Sequence, residues 1–232
     1  MFYSKKLKKL KRIKHCFFSR KAGFSEGIYK GLNCGRGSKD KKKNILKNLI
    51  YVSKKMFVKK NELILMNQTH GTKVIEVTRS NYKKKMNSDA LITKVKGLAL
   101  GVVTADCVPV IIYDLENEII GCIHAGWKGA FSGVIKNTIN KVKKINSKNK
   151  IVACIGPCIG KRSYEVDLTF YKKFLNRSKK NKKYFFHKNK NKKLFNLRKF
   201  VADKLIELKV KVDHVNRDTF REKMNFFSFR RS

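Results

Sequence analysis

The sequence predicts a single mixed α/β domain. Three observations point there. Short β-like apolar stretches crowd the middle of the chain, from Glu62 to His124. Helical spacing of apolar residues brackets them, at Ile45–Ile50 and again after Gly129. Strands and helices then alternate irregularly, which fits β-hairpins in a mixed sheet better than a doubly wound parallel one. No linker-like segment and no internal repeat interrupts the 232 residues, so 1–232 reads as one domain with a sizeable core.

Each element follows in order. FFSRKAGFSEGIYKGLN, Phe17–Asn33, is punctuated by glycine and reads as loop with short strands. Asp40 stands where an N-cap would open a helix bearing Ile45, Leu46, Leu49, Ile50 and Val52. ELILM (Glu62–Met66) and KVIEV (Lys73–Val77) are strands flanking Asn67-Gln68-Thr69-His70-Gly71. DALIT (Asp89–Thr93), LALGVV (Leu98–Val103), VPVIIY (Val108–Tyr113) and EIIGCIH (Glu118–His124) continue the β-rich middle. A hairpin turn is predicted over Asp114–Asn117. Behind Gly126-Trp127-Lys128-Gly129, the residues Phe131, Val134, Ile135, Thr138, Val142 and Ile145 keep a helical period. IVACIG (Ile151–Gly156) is a buried strand, and a helix follows around Asp167–Leu175. The stretch 177–193 is rich in Lys and Asn and predicts an exposed insertion or mobile loop. Leu194–Leu208 is an amphipathic helix, Val210–Val215 a strand, and Phe226–Phe229 a last short strand.

A net charge of +41 suggests nucleic acid or another anionic partner. The basic residues are 46 Lys against 11 Arg, however, and sequence-specific readers lean on Arg. Lys, Asn and Ile share AT-rich codons. An AT-rich genome placing Lys wherever the surface tolerates it accounts for the excess. No aromatic-and-Gly RNA motif accompanies it, which leaves RNA binding as the lesser reading. No apolar run approaches the ~18 residues of a membrane span. The N-terminus MFYSKKLKKLKRIKHCFF is charged but lacks an apolar core, so it predicts no secretory signal; a basic amphipathic presequence is the alternative. Cys16, Cys34, Cys107, Cys122, Cys154 and Cys158 follow no compact spacing and read as free thiols of a cytoplasmic protein.

The chemistry concentrates at strand ends. GLALGVVTADCVPVIIYD, Gly97–Asp114, breaks the most apolar run of the chain with Asp106 and Cys107. His70 follows LILMNQT, and His124 closes EIIGCIH. Two imidazoles and one thiolate make a zinc set with a fourth position open to water or substrate. Their spacings of 37 and 17 residues match no local zinc rule, so a buried Cys with two unrelated His stays open. The same trio also fits a Cys nucleophile activated by His. Asp106, beside Cys107, is a candidate to orient an imidazole or handle a proton. Gly126 and Gly129 open a helix with free N–H groups beside Lys128, a candidate phosphate site together with Arg20 in the Gly/Ser loop. Strand–helix turns and solvated loops explain the same residues without a ligand.

NQTHG, DALIT, TADCVPV, HAGWKG, IGPCIG followed by Tyr164-Glu165-Val166, the terminal FFSFRR and the N-terminal FSRKAGFSEGIYKGLN together resemble the laccase-domain family. That family was named for multicopper polyphenol oxidases. It is now regarded as purine nucleoside phosphorylase-like and includes the bacterial peptidoglycan editing factor. The motifs cover nearly the whole chain in order, and the set is specific where each alone is modest. The resemblance implies a four-layer α/β/β/α domain, related in architecture to the catalytic domain of the cytotoxic necrotizing factor toxins. It implies His70, Cys107 and His124 as the metal triad, with Zn2+ and sometimes Cu2+. It implies phosphorolysis of adenosine, inosine, guanosine and methylthioadenosine, with adenosine deamination as a second activity. The expected partners are purine nucleosides and phosphate, for a monomer or homodimer.

The chain departs from the family pattern at three places. Ala22-Gly23 stands where a Gly pair is common, and Ser163 where a Cys often precedes the YEV element. The sequence ends at Ser232, where members usually continue into a Gly-Arg-containing strand. Two alternatives share these residues. A peptidoglycan editing hydrolase would differ only in substrate. A copper polyphenol oxidase needs many His in His-X-His pairs, and the five here (His15, His70, His124, His187, His214) form none.

Overall fold

The computed structural model describes residues 1–146 and 148–231. The first half runs through α1 (Lys42–Lys55), β1 (Leu63–Asn67), β2 (Val74–Glu76), β3 (Met86–Asn87), β4 (Ala90–Thr93) and β5 (Ala99–Gly101). The hairpin β6 (Val108–Asp114) and β7 (Ile119–Ala125) follows, then α2 (Trp127–Ser132), α3 (Val134–Ile145) and β8 (Ile151–Ile155). The chain continues through β9 (Glu165–Asp167), α4 (Leu168–Arg177), β10 (Phe185–His187), β11 (Lys192–Phe195), α5 (Leu197–Glu207) and β12 (Lys211–His214). The fold is mixed α/β, as the irregular alternation predicts. A six-stranded sheet has the order β12-β8-β6-β7-β4-β2, and two three-stranded sheets have the orders β3-β1-β5 and β10-β11-β9. The large sheet is mixed: β12/β8 and β2/β4 are parallel, while β8/β6, β6/β7 and β7/β4 are antiparallel.

Side-chain alternation builds the layers. Along β4, Ala90 and Ile92 join Val108, Val110 and Ile112 of β6 in a core closed by Ile135, Ile139 and Val142 of α3 and Val201 and Leu205 of α5. Leu91, between them, points the other way with Cys122 and packs on Ile64 and Met66 of β1. The alternate residue of β1, Leu63, meets Ile45, Leu49 and Val52 of α1. The sequence of layers is therefore helices, large sheet, small parallel sheet, helix. The N-terminal segment, through Leu7 and Phe17, covers the remaining part of the large sheet at Tyr113, Val152 and Cys154.

Several boundaries differ from the sequence expectations, each for a physical reason. Asp40 does not cap α1. The N-cap is Lys41, and the Asp40 carboxylate accepts from the Asn33 side chain instead. The helix predicted from Phe131 to Ile145 breaks at Gly133, whose φ of 108° only glycine adopts readily. Leu194 lies in β11, and α5 starts three residues later behind Asn196, whose side chain accepts from the Lys199 amide. Phe226–Phe229 forms no strand. The stretch 177–193, expected as an exposed insertion or mobile loop, folds into a 3-10 turn (Lys179–Tyr184) and the edge strand β10. Most of its lysines are exposed, but Tyr184 is buried against Phe200 with ring centroids 5.1 Å apart, and Phe185 stacks on Phe195. Aromatic residues set among the lysines supply the apolar face that charge counting hides.

Candidate metal centre

The triad forms where the large sheet ends. His124 lies in β7, paired across the ladder with Pro109 of β6, so Cys107 sits one residue before the start of the neighbouring strand. His70 comes from the turn after β1, held at a positive φ of 58°. A donor atom from each of His70, Cys107 and His124 lies within 4.8 Å of the others. The two imidazoles meet edge to face, with centroids 4.7 Å apart. His124 is buried, Cys107 half-buried and His70 exposed, so the group opens to solvent on one side. It could hold a metal ion.

The electrostatics fit a cation. Burial pushes the Cys107 thiol up to about 12, helped by the negative charges of Asp106 and Asp89. At neutral pH the thiolate therefore forms only when a cation stabilises it. Burial also lowers the His70 pKa, and the neighbouring His124 and Lys128 lower it further, which favours the neutral, ligating imidazole.

The carboxylate on the triad is Asp89, a residue not singled out from the sequence. It is fully buried immediately before β4. Its Oδ1 accepts from His124 Nδ1 at 2.8 Å and from the His70 amide at 2.9 Å. Its Oδ2 accepts from Thr69 Oγ1 at 2.7 Å and from the Gly71 amide at 2.7 Å. Hydrogen bonds from His124, Thr69 and Gly71 overcome the effect of burial and hold the Asp89 pKa well below the usual carboxylate range. A polar residue directly before the fully buried ALIT run was the available sequence signal.

Asp106 lies elsewhere. Its carboxylate accepts from Thr219 Oγ1 (2.7 Å), Ser228 Oγ (2.8 Å) and the Arg230 amide (2.8 Å). These partners all lie in the C-terminal segment, and neither imidazole of the triad is among them. Gly126 backs the donors closely. A Cβ there would lie 3.1 Å from Cys107 Sγ and 3.1 Å from His70 Cδ2. Gly129 touches the His70 loop, since its Cβ would meet Gly71 O at 2.8 Å. Lys128 is exposed beside the site with its Nζ 5.8 Å from the Trp127 ring.

Arg20 is not at the triad's donors. Its guanidinium donates to Lys30 O at 2.8 Å and lies over the Phe227 ring. It lines a cavity of about 830 Å³ between the two β-layers. Phe17, Leu65, Leu100, Pro109 and Ile111 form part of the wall, and none of the three donors does. Thr104 and Thr219 also line it, and Thr219 is the residue whose hydroxyl donates to Asp106.

Residues 14–232 match the sequence profile of a family described as multi-copper polyphenol oxidoreductase laccase. The chain belongs to this laccase-domain family. A purine nucleoside phosphorylase of Rickettsia conorii is 38% identical over 178 residues, covering 76% of this chain and 73% of the relative. A purine nucleoside phosphorylase of Haemophilus influenzae is 32% identical over 222 residues, or 94% and 88% of the two chains. Among solved structures, the Bacillus licheniformis hypothetical protein YfiH superposes with a TM-score of 0.86 at 26% identity, over 92% of this chain and 85% of that one. The three-sheet architecture is thus that of the laccase-domain fold. Among the described residues no helix is long and apolar enough to cross a membrane.

Proposed function

We propose that this laccase-domain protein is a zinc-dependent purine nucleoside phosphorylase. Its substrates are adenosine, inosine, guanosine and methylthioadenosine, with adenosine deamination as a second activity. The observation that carries this reading is the convergence of His70, Cys107 and His124 in a chain whose relatives bear that activity in their names. The donor set fits zinc: two imidazoles and one thiol suit a borderline-soft ion in a catalytic site with an open position. An ion bound there would supply Lewis acidity toward a phosphate, ribose or water oxygen.

The chain's own residues do the rest. The N-glycosidic bond breaks with positive charge developing on the sugar, and phosphate attacks the anomeric carbon. Lys128 places a cation on the open side beside His70, where a phosphate dianion gains from it. Arg20, fixed by Lys30 O and Phe227, presents its guanidinium to the interlayer cavity, whose volume suits a nucleoside.

The test is turnover of inosine by purified, zinc-loaded protein with and without phosphate. Hypoxanthine released only with phosphate supports the proposal. Release without phosphate makes the protein a hydrolase, and no release from any purine nucleoside overturns the reading. A cell-wall precursor in a parallel assay separates the editing-hydrolase alternative.

A further inference from the structure

We infer that Asp89 is a positioning residue that sets both imidazole ligands of the metal centre through a single carboxylate. This rests on the reading of His70, Cys107 and His124 as ligands. One oxygen, Oδ1, is shared between the two histidines: it accepts from the His124 ring at Nδ1 and from the His70 backbone amide. The backbone carbonyl of Asp89 also accepts from the His124 amide at 2.8 Å, so main chain and ring of that ligand are fixed by the same residue.

The other oxygen completes a nest. The amides of Thr69, His70 and Gly71 all point at the Asp89 carboxylate, at 3.2, 2.9 and 2.7 Å. Successive amides converge this way when a residue among them takes the left-handed conformation, and His70 does so at φ 58°. A left-handed histidine is uncommon and persists when its surroundings hold it. The anion in the nest is what holds it. A carboxylate ringed by donors is an acceptor at both oxygens, so the His124 proton sits on Nδ1 and Nε2 keeps its lone pair for a metal. The ring is thereby fixed in tautomer as well as in angle.

Amide chemistry cannot replace this arrangement. An Asn at position 89 would keep one acceptor and turn an NH2 group toward whichever donors it faces. If it served His124 and His70, its NH2 would oppose the Thr69 and Gly71 amides. The effect is on the geometry of the two histidines, so the loss appears in metal affinity before it appears in global folding.

Two measurements test this. The first is zinc affinity by competition with a chromophoric chelator, for the wild type and Asp89→Asn, with circular dichroism as the folding check. The dissociation constant is expected to rise about 10- to 100-fold. The second needs no variant: the tautomer of His124 in metal-free wild-type protein, read from long-range nitrogen–proton NMR correlations, is expected to be Nδ1–H. Unchanged zinc affinity in folded Asp89→Asn overturns the inference alone. An Nε2–H tautomer in the wild type overturns it even if the variant fails to fold. A wild type that takes up no zinc overturns the metal-centre reading, and this inference with it.

Discussion

Thr219 Oγ1 donates to Asp106 Oδ1 across 2.7 Å, joining residues 113 positions apart. Ser228 and the Arg230 amide complete the set, so one carboxylate ties the last turn of the chain to the residue beside Cys107. Asp106→Ala strips two buried hydroxyls and the part-buried Arg230 amide of their acceptor and should cost about 3 kcal/mol. Asp106→Asn keeps part of the set and tolerates the residue's φ of 84°, so it should cost less. Urea unfolding and limited proteolysis measure both. A C-terminal segment as protected in Asp106→Ala as in the wild type would refute the anchor.

Gly126→Ala separates the centre from the fold. The backbone there is ordinary, at φ −64°, but the new methyl would crowd Cys107 and His70. Displacing donors by a few tenths of an ångström loosens a metal site. Zinc affinity is expected to fall about tenfold with the melting temperature changed by only a few degrees. Metal titration and thermal unfolding of the same sample check it.

Zinc binding should release a proton. With the Cys107 thiol pushed up to about 12 and the His70 pKa lowered, the metal-free site carries the thiol proton and a neutral His70 at neutral pH. Binding displaces the thiol proton, so apparent affinity should rise about tenfold per pH unit between pH 7 and 9. A flat profile would mean that Cys107 does not bind as thiolate.

Asp213 couples the N-terminus to acid stability. Burial acts to raise its pKa, but hydrogen bonds from Ser4 and the Lys6 amide overcome it, and the net shift is downward. A depressed carboxylate contributes stability above its unfolded value of about 3.9, and that contribution is lost as pH falls through the folded value. Asp213→Asn should therefore destabilise at pH 7, by on the order of 1 kcal/mol after solvent screening. The gap between variant and wild type should close in strong acid. Denaturant midpoints at several pH values measure it.

The Lys-rich stretch 177–193 should behave as packed structure. Tyr184 is 1% exposed, and its hydroxyl donates to Asp203 at 2.9 Å. Tyr184→Ala is expected to cost about 3 kcal/mol or more, and Tyr184→Phe about 1 kcal/mol. Lys188→Ala, on the exposed tip, should leave the unfolding midpoint unchanged.

The strands and the three donors were legible in the sequence because their signals are local. Short continuous apolar runs marked β6 and β7, and soft donors at strand ends stood out against the apolar runs around them. What the 177–193 stretch does was hidden because burial of Tyr184 depends on Phe200, which composition does not reveal. The two carboxylates were the least readable. Asp89 and Asp106 each precede a buried strand, so by sequence they look alike, and adjacency to Cys107 favoured Asp106. Tertiary structure reversed their roles. A carboxylate's function is set by the donors it meets, and these lie 18 to 35 residues from Asp89 and 113 to 124 from Asp106. The residue types determined which atoms could bind a metal; only the layering of the sheets decided which acid meets the two histidines and which meets the C-terminal segment.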